Sequence, residues 1–189
     1  VTLTGTSVVF VEGTTYLVKN LFVSLALAVL VIATVMSILF RSARMVAISL
    51  LPNLVPLIFT AAVMGFFGIA LKPSTLLVFS IAFGISVDDT IHLLAKYRQE
   101  LDLHGWNMRE AVLLAVRETG VSMMYTSIVL FFGFLMFFAS DFEGTRALGI
   151  LVSTTLLVAM LTNLVLLPSM LLGFERYITA QTFKEPLLE

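Results

Sequence analysis

Asp88 and Asp89 are the residues whose type and position point most directly to chemistry. They are adjacent carboxylates in an otherwise apolar stretch, and His92 follows one helical turn after Asp88. A charge near the centre of a bilayer costs roughly 2.5 to 3.5 kcal/mol on insertion scales, so ionisable groups at that depth mark functional sites. We therefore predict that these three side chains form a proton relay, with no catalytic group and no metal site. A purely structural contact is the alternative, and His92 fits an exposed interfacial position equally well.

The surroundings of the pair come from the same helix and from later segments. Gly84 lies one turn before Asp88, where a small residue lets a neighbouring helix approach. Several polar side chains on the later apolar segments are candidate hydrogen-bond partners for the carboxylates, although most Ser and Thr in membrane helices bond only their own backbone. These candidates are Tyr125, Thr126, Ser127, Thr162 and Asn163.

The composition defines the solvent in which these residues must work. Hydrophobic residues make up 59% of the chain and charged residues 12%, and the mean hydropathy is +1.06. One soluble core could not bury that much apolar surface, so we predict an integral membrane protein rather than an enzyme. The net charge of -1 argues against a nucleic-acid partner, and the lack of cysteine excludes disulfides and thiolate metal sites. Protons are the expected coupling ion, and no cofactor is expected.

The predicted fold class is all-α, a polytopic membrane helix bundle with five transmembrane helices and one amphipathic interfacial helix. Each of five apolar segments has about the 20 residues that cross a bilayer. Pro52 and Pro56 should kink the second span or mark a short re-entrant start. The alternation of charged and apolar residues predicts the interfacial helix at 107–119. The five spans are predicted at 21–40, 46–69, 75–94, 121–139 and 147–172.

Three regions divide the chain. Residues 1–18 are predicted to be the stub of an extracytoplasmic domain, in which residues 1–6 alternate like a strand and residues 14–19 lead into the first helix. Residues 19–173 form the transmembrane domain, and residues 174–189 form a cytoplasmic tail. Eight Lys and Arg residues follow the first, third and fifth spans, whereas three lie on the other side. This asymmetry predicts a multi-pass protein with a cytoplasmic C-terminus. Because the chain opens with Val1 and has an odd number of spans, we expect it to be part of a longer protein.

The segment Phe83-Gly84-Ile85-Ser86-Val87-Asp88-Asp89-Thr90-Ile91-His92 resembles the GxxxD segment of resistance-nodulation-division (RND) transporters. The closest branch exports lipids and hydrophobic compounds and is related to sterol-sensing-domain and Patched-like proteins. Further matching segments cover nearly the whole chain. They are Leu3-Thr4-Gly5-Thr6, Phe40-Arg41-Ser42, Leu51-Pro52-Asn53-Leu54-Val55-Pro56, Lys96-Tyr97-Arg98, Ala139-Ser140-Asp141-Phe142 and Leu167-Pro168.

The resemblance implies the last five helices of a half transporter in which proton movement drives efflux across the bacterial inner membrane. It gives Asp88 the role of the proton-binding carboxylate and Gly84 that of the motif glycine. Many relatives carry Tyr where this chain has Asp89, and no Lys or Arg lies at the membrane centre here. The implied partners are membrane lipid and the N-terminal RND half with its extracytoplasmic porter domain, with a second copy of the chain as an alternative.

Three other functions use the same residues. A sterol-sensing-like domain would bind lipid in this fold without a proton cycle. A metal-cation carrier could use Asp88, Asp89 and His92 as ligands. Adjacent carboxylates diverge by about 100° on a helix, however, so this helix alone does not complete the coordination shell of a metal ion. An intramembrane aspartyl protease needs carboxylates from two helices sharing one proton, and the remaining acids lie in loops or tails.

Overall fold

The computed structural model describes residues 5–40, 43–105 and 107–173. Those ranges contain helices and no strand, and five helices are long and apolar enough to cross a membrane. The all-α, multi-pass bundle is therefore confirmed. A 3₁₀ turn at Met136–Ala139 ends the fourth span, and a π-helical turn at Thr162–Leu166 continues the fifth. The α-helices are α1 (Thr6–Phe40), α2 (Ala43–Phe66), α3 (Pro73–Leu103), α4 (Met108–Leu135), α5 (Glu143–Leu161) and α6 (Leu167–Gly173).

Helix α1 begins much earlier than the predicted first span. The strand-like alternation predicted for residues 1–6 falls mostly on residues outside the described ranges, and the chain is helical from Thr6 onward. Residues 14–19, which were predicted to lead into the first helix, lie within α1. The assignment of residues 1–18 to an extracytoplasmic domain stays a prediction. Residues 1–4 and 174–189 lie outside the described residues.

Helix α2 contains both prolines and is nevertheless uninterrupted from Ala43 to Phe66. Pro52 and Pro56 therefore do not separate a re-entrant segment from the span. The helix ends where Gly68 adopts a φ of +64°, and the Ile69 N–H donates to the Met64 carbonyl at 2.9 Å. A left-handed residue after the last turn is the usual way to close a helix, and glycine adopts it without strain. Helix α3 begins at Pro73, two residues before the predicted start of the third span.

The predicted interfacial helix at 107–119 does not exist as a separate element. It forms the first turns of α4, which runs without a break through the fourth span. Its apolar residues Ala111, Val112 and Ala115 are buried in a core cluster with residues of α3 and α6. The amphipathic pattern therefore reflects packing against the bundle, not against a membrane surface. The pattern alone could not distinguish these two partners because both bury one apolar face.

Helix α3 lies at the centre of the bundle and contacts α1, α2, α4 and α5. The connection from α3 to α4 is short and turns at Gly105, which has a φ of +60°. The two helices therefore run side by side in opposite directions. This arrangement brings the middle of α3 against the middle of α4, where the predicted site lies.

Candidate functional site

Asp88 lies midway along α3, equally far from Pro73 and Leu103. A pocket of about 490 Å³ opens beside it between α3 and α4. Both carboxylates, the imidazole and the motif glycine line this pocket, as the sequence predicted for a single site. The lining residues are Gly84, Ile85, Asp88, Asp89, His92, Glu118, Thr119, Ser122, Met123, Thr126 and Leu130.

The two carboxylates have different surroundings. Asp88 and His92 are open, with side chains 71% and 70% exposed, and the Asp88 Oδ1 lies 3.6 Å from the His92 Nε2. Asp89 is only 9% exposed. Within the described residues no side chain donates a hydrogen bond to Asp89. One carboxylate is therefore accessible and close to an imidazole, whereas its neighbour is enclosed and borders the same space.

Gly84 leaves room at the end of this pocket that is nearer the beginning of α3. A Cβ added there would meet nothing within 4 Å. The expected approach of a neighbouring helix is therefore not made by any other described part of this chain. The glycine instead widens the pocket one helical turn before Asp88, because a larger side chain at this position would project into the pocket.

Helix α4 contributes a wall of the pocket, of which the sequence predicted Thr126 but not Glu118 or Ser122. Glu118, Ser122 and Thr126 are four residues apart and present polar groups to the pocket. The four-residue spacing of these polar residues on an otherwise apolar helix could have predicted the wall from the sequence. The pattern was not recognised because residues 107–119 were assigned to a separate interfacial helix, which placed Glu118 outside the fourth span.

None of the five predicted partners forms a hydrogen bond with Asp88 or Asp89 in the described structure. Thr126 alone lines the pocket, and its hydroxyl donates to backbone carbonyls of α4. Thr162 likewise donates to its own helix. Tyr125 is 69% exposed, and Ser127 is buried away from the pocket. Ser and Thr in helices satisfy themselves with a carbonyl one turn earlier, which explains the two threonines.

The fifth predicted partner, Asn163, belongs to another cluster on the opposite side of α3. We call Asn53, Ser86, Thr90 and Asn163 the amide cluster. The Ser86 and Thr90 hydroxyls lie 2.6 and 2.9 Å from the Asn53 Oδ1, and the Asn163 Nδ2 donates to the Ser86 carbonyl at 2.9 Å. All four residues are buried. The cluster joins α2, α3 and the π-helical turn through hydrogen bonds, as buried polar groups in a membrane require.

Charged residues continue from the pocket toward the end of α3. The Lys96 Nζ lies 2.8 Å from Glu100 and 2.6 Å from Glu118, so it ties α3 to α4. His104, one turn further on, lies 3.3 Å from Glu100. Glu118 therefore belongs both to this ionic group and to the pocket. In the described ranges no three His, Asp or Glu side chains are arranged to hold a metal ion, so the metal-cation alternative has no ligand set there.

The fold and the site define a polytopic helical membrane protein with ionisable groups midway through one span. The MMPL family model matches residues 1–182. The chain belongs to the MMPL family, within the RND superfamily of membrane transport proteins. The resemblance seen in the sequence is thereby confirmed. No solved structure matches the chain.

Three curated relatives illustrate the similarity. The chain is 31% identical to putative membrane protein MJ1562 of Methanocaldococcus jannaschii, over 78% of this chain and 38% of that protein. It is 30% identical to hopanoid transporter HpnN of Burkholderia multivorans, over 75% of this chain and 16% of that protein. It is 32% identical to multidrug resistance protein MdtC of Pectobacterium atrosepticum, over 77% of this chain and 14% of that protein. The chain therefore spans less than two-fifths of the length of these relatives.

Proposed function

We propose that this chain is the membrane domain of an exporter that is driven by the proton-motive force and moves hydrophobic or lipid-like compounds. Asp88 and Asp89 bind the driving protons, with His92 as their neighbour in the relay. The observation that carries the proposal is the pocket itself, which holds two adjacent carboxylates and an imidazole midway along a membrane-spanning helix. Ionisable side chains at this depth are characteristic of proton relays in pumps and transporters.

The unequal burial of the two carboxylates suits a cycle of proton binding and release. Asp88 exchanges protons with the open pocket, and Asp89 holds charge in an enclosed position where it is costly. Binding a proton removes that cost and the repulsion between the adjacent carboxylates. Helix α3 can then repack against α4 and α5, which are its neighbours in the bundle. Proton binding is thereby converted into helix movement.

A second cavity supports the proposed substrate class. It has a volume of about 550 Å³ and lies between α1, α2 and the first part of α3. Its lining is apolar, with Phe22, Leu57 and Phe79 among the contributing residues. Such a lining accommodates a hydrocarbon chain and offers no charged group to a polar solute. The name of the relative HpnN, a hopanoid transporter, agrees with this chemistry.

The location and partners follow from the same proposal. The protein lies in the bacterial inner membrane with its C-terminus in the cytoplasm, an orientation that the distribution of basic residues supports. The 71% exposed Asp88 side chain leaves one side of the pocket open within the described chain. An N-terminal RND half with an extracytoplasmic porter domain, or a second copy of the chain, would cover this side. The relative HpnN, of which the match covers 16%, is long enough to contain such additional parts.

Export by the full-length parent protein in membrane vesicles tests the proposal. An imposed proton gradient drives uptake of a fluorescent hydrophobic compound into inverted vesicles, and Asp88→Asn and Asp89→Asn are compared with wild type at equal protein content. Both substitutions keep the size of the side chain and remove its exchangeable acidic proton. We expect Asp88→Asn to abolish transport and Asp89→Asn to reduce it strongly.

Asp141→Asn is the matched control because Asp141 is an exposed carboxylate in the connection between α4 and α5. This variant should transport like wild type. Normal transport by both pocket variants would show that the carboxylates are structural. In that case lipid binding without a proton cycle, as in sterol-sensing-like domains, would be the better account of this fold.

A further inference from the structure

Five titratable residues follow one another along α3 at intervals of four. We call Asp88, His92, Lys96, Glu100 and His104 the titratable stripe. Contacts of 3.6, 2.8 and 3.3 Å join Asp88 to His92, Lys96 to Glu100 and Glu100 to His104, respectively. At 1.5 Å per residue the stripe covers about 24 Å, from the middle of the span to the end of the helix. A membrane helix is stabilised by its own backbone hydrogen bonds and does not need such a run of ionisable side chains.

The stripe also winds around α3. An α-helix turns about 100° per residue, so each step of four residues advances the stripe by about 40°. Asp88 and His92 consequently lie on the open side, whereas the Lys96 and Glu100 side chains are only 21% and 7% exposed beside α4. The first residues of the stripe therefore line the open pocket, whereas Lys96 and Glu100 lie on the side of α3 that packs against α4.

Glu118 is the group of α4 that meets the stripe. One of its carboxylate oxygens lies 2.6 Å from the Lys96 Nζ, and its side chain is half-exposed. It also lines the pocket that contains Asp88, Asp89 and His92. Lys96 fixes the position of this carboxylate at the junction between pocket and solvent, because a charge-assisted hydrogen bond of this length is directional.

We propose that Glu118, positioned by Lys96, is the residue through which protons pass between the Asp88–Asp89 pocket and the water at the membrane face where α3 ends. This inference rests on the proposed function, since it supplies a route to the same carboxylates. The family match and the matching sequence segments assign Glu118 no role.

The transfer conserves protons at each step. A proton from water binds a Glu118 carboxylate oxygen and passes through pocket water to the His92 imidazole or directly to Asp88. A proton on Asp88 then moves to Asp89, and the reverse order discharges the pair. Lys96 lies two helical turns beyond Asp88, about 12 Å along the axis, so water must bridge part of the route. The 490 Å³ pocket has room for on the order of ten water molecules.

The charged groups around Glu118 are few. Helix α3 contributes Lys96 directly, Glu100 through Lys96, and His92 and the two aspartates through the pocket. The neighbouring 3₁₀ turn and α6 contain no titratable residue, and those of α5 are confined to its first turn at the opposite end of the bundle. On α4 itself Arg117 directly precedes Glu118 in the sequence. Among the described residues Lys96 is the cation that forms an ion pair with Glu118.

The test measures proton-driven export by the full-length parent in vesicles at several absolute pH values, while the pH difference and the membrane voltage are held constant. Glu118→Gln keeps the size and the contact with Lys96 but cannot carry a proton. At low pH abundant protons reach the pocket directly, so this variant should transport like wild type. At the highest pH it should be about tenfold slower, since a positioned proton donor is then missing. Glu118→Asp should restore most of the rate.

Glu143→Gln is the matched control. It makes the same Glu→Gln change in a similar ion pair, in which Glu143 lies 3.1 Å from Lys72 at the opposite end of the bundle. This variant should show the pH profile of wild type. All variants are compared at equal content of folded protein, judged by elution as a single species after detergent extraction.

Three outcomes would overturn the proposed route. A Glu118→Gln rate equal to wild type at every pH, with Asp88→Asn inactive, would remove the route and leave the proposed function intact. A loss of equal size at every pH would show that Glu118 only holds α3 and α4 together. Normal transport by Asp88→Asn and Asp89→Asn would remove both proposals, because the route would have no acceptor.

Discussion

The two sides of α3 solve the problem of polar groups in a membrane in opposite ways. On one side Ser86 and Thr90 belong to the amide cluster, whose members are buried and bonded to one another. On the other side Asp88 and Asp89 border an open pocket, and Asp89 has no hydrogen-bond donor among the described residues. Residues one or two positions apart on a single helix thus have contrasting surroundings.

The difference teaches how to separate structural from functional polar residues. Hydroxyl and amide groups that satisfy one another hold helices in place and have no reason to change state. Ionisable groups that remain incompletely satisfied cost stability, and proteins retain such groups where a change of charge is useful. Substitutions on the two sides should consequently change stability in opposite directions.

The largest effect is expected for Asn163→Leu in the amide cluster. This change keeps the branching and the number of heavy atoms in the side chain but removes the amide that bonds the Ser86 carbonyl and the Thr90 hydroxyl. We expect the free energy of unfolding to fall by about 2 to 3 kcal/mol, because buried partners are left unsatisfied. Thermal unfolding of the purified protein in lipid–detergent mixtures measures the change. Thr154→Val should have almost no effect, since its hydroxyl donates only to the Ile150 carbonyl of its own helix.

Two glycines extend the contrast between closed and open surroundings. A Cβ on Gly149 would lie 2.8 Å from the Phe134 carbonyl oxygen, whereas one on Gly84 would meet nothing within 4 Å. Gly149→Ala should lower stability by about 2 kcal/mol because backbone must move. Gly84→Ala should leave stability unchanged or raise it slightly, since alanine favours a helix more than glycine does. Equal losses from both substitutions in the same unfolding assay would contradict the open pocket.

Asp89→Asn should change stability in the other direction. A neutral amide fills the same space and ends the repulsion from Asp88, so the free energy of unfolding should rise by about 1 kcal/mol. Proton-driven transport by the same variant should be strongly reduced. Unfolding and vesicle transport are measured on one preparation. A variant that is both less stable and inactive would instead assign Asp89 to the structural polar groups.

The smallest expected effect is the coupling between Asn53 and Ser86. The Ser86 hydroxyl donates to the Asn53 Oδ1 at 2.6 Å. A double-mutant cycle with Asn53→Leu and Ser86→Ala should give a coupling free energy of about 0.6 kcal/mol, the average for hydrogen bonds between membrane helices. Zero coupling would mean that the amide cluster is held by packing alone. The matched cycle of Asn53→Leu with Thr154→Val should show no coupling.

The spans were predictable because the apolar runs are long and few charges interrupt them. The Asp pair was predictable for the same reason, since a carboxylate stands out in such a run. The beginning of α4 was not, because an amphipathic pattern is the same whether its apolar face meets lipid headgroups or α3. That error concealed Glu118 as a residue of the pocket wall.

The sequence by itself determined that this is an all-α membrane protein with ionisable residues midway along its third span. Only the tertiary structure decided which polar groups meet. Asn163 was a predicted partner of the carboxylates and instead bonds Ser86, while Glu118 lines the pocket without having been predicted. The physical reason is that spacing along a helix fixes which residues share a face. The helix facing them is set by packing between segments distant in sequence.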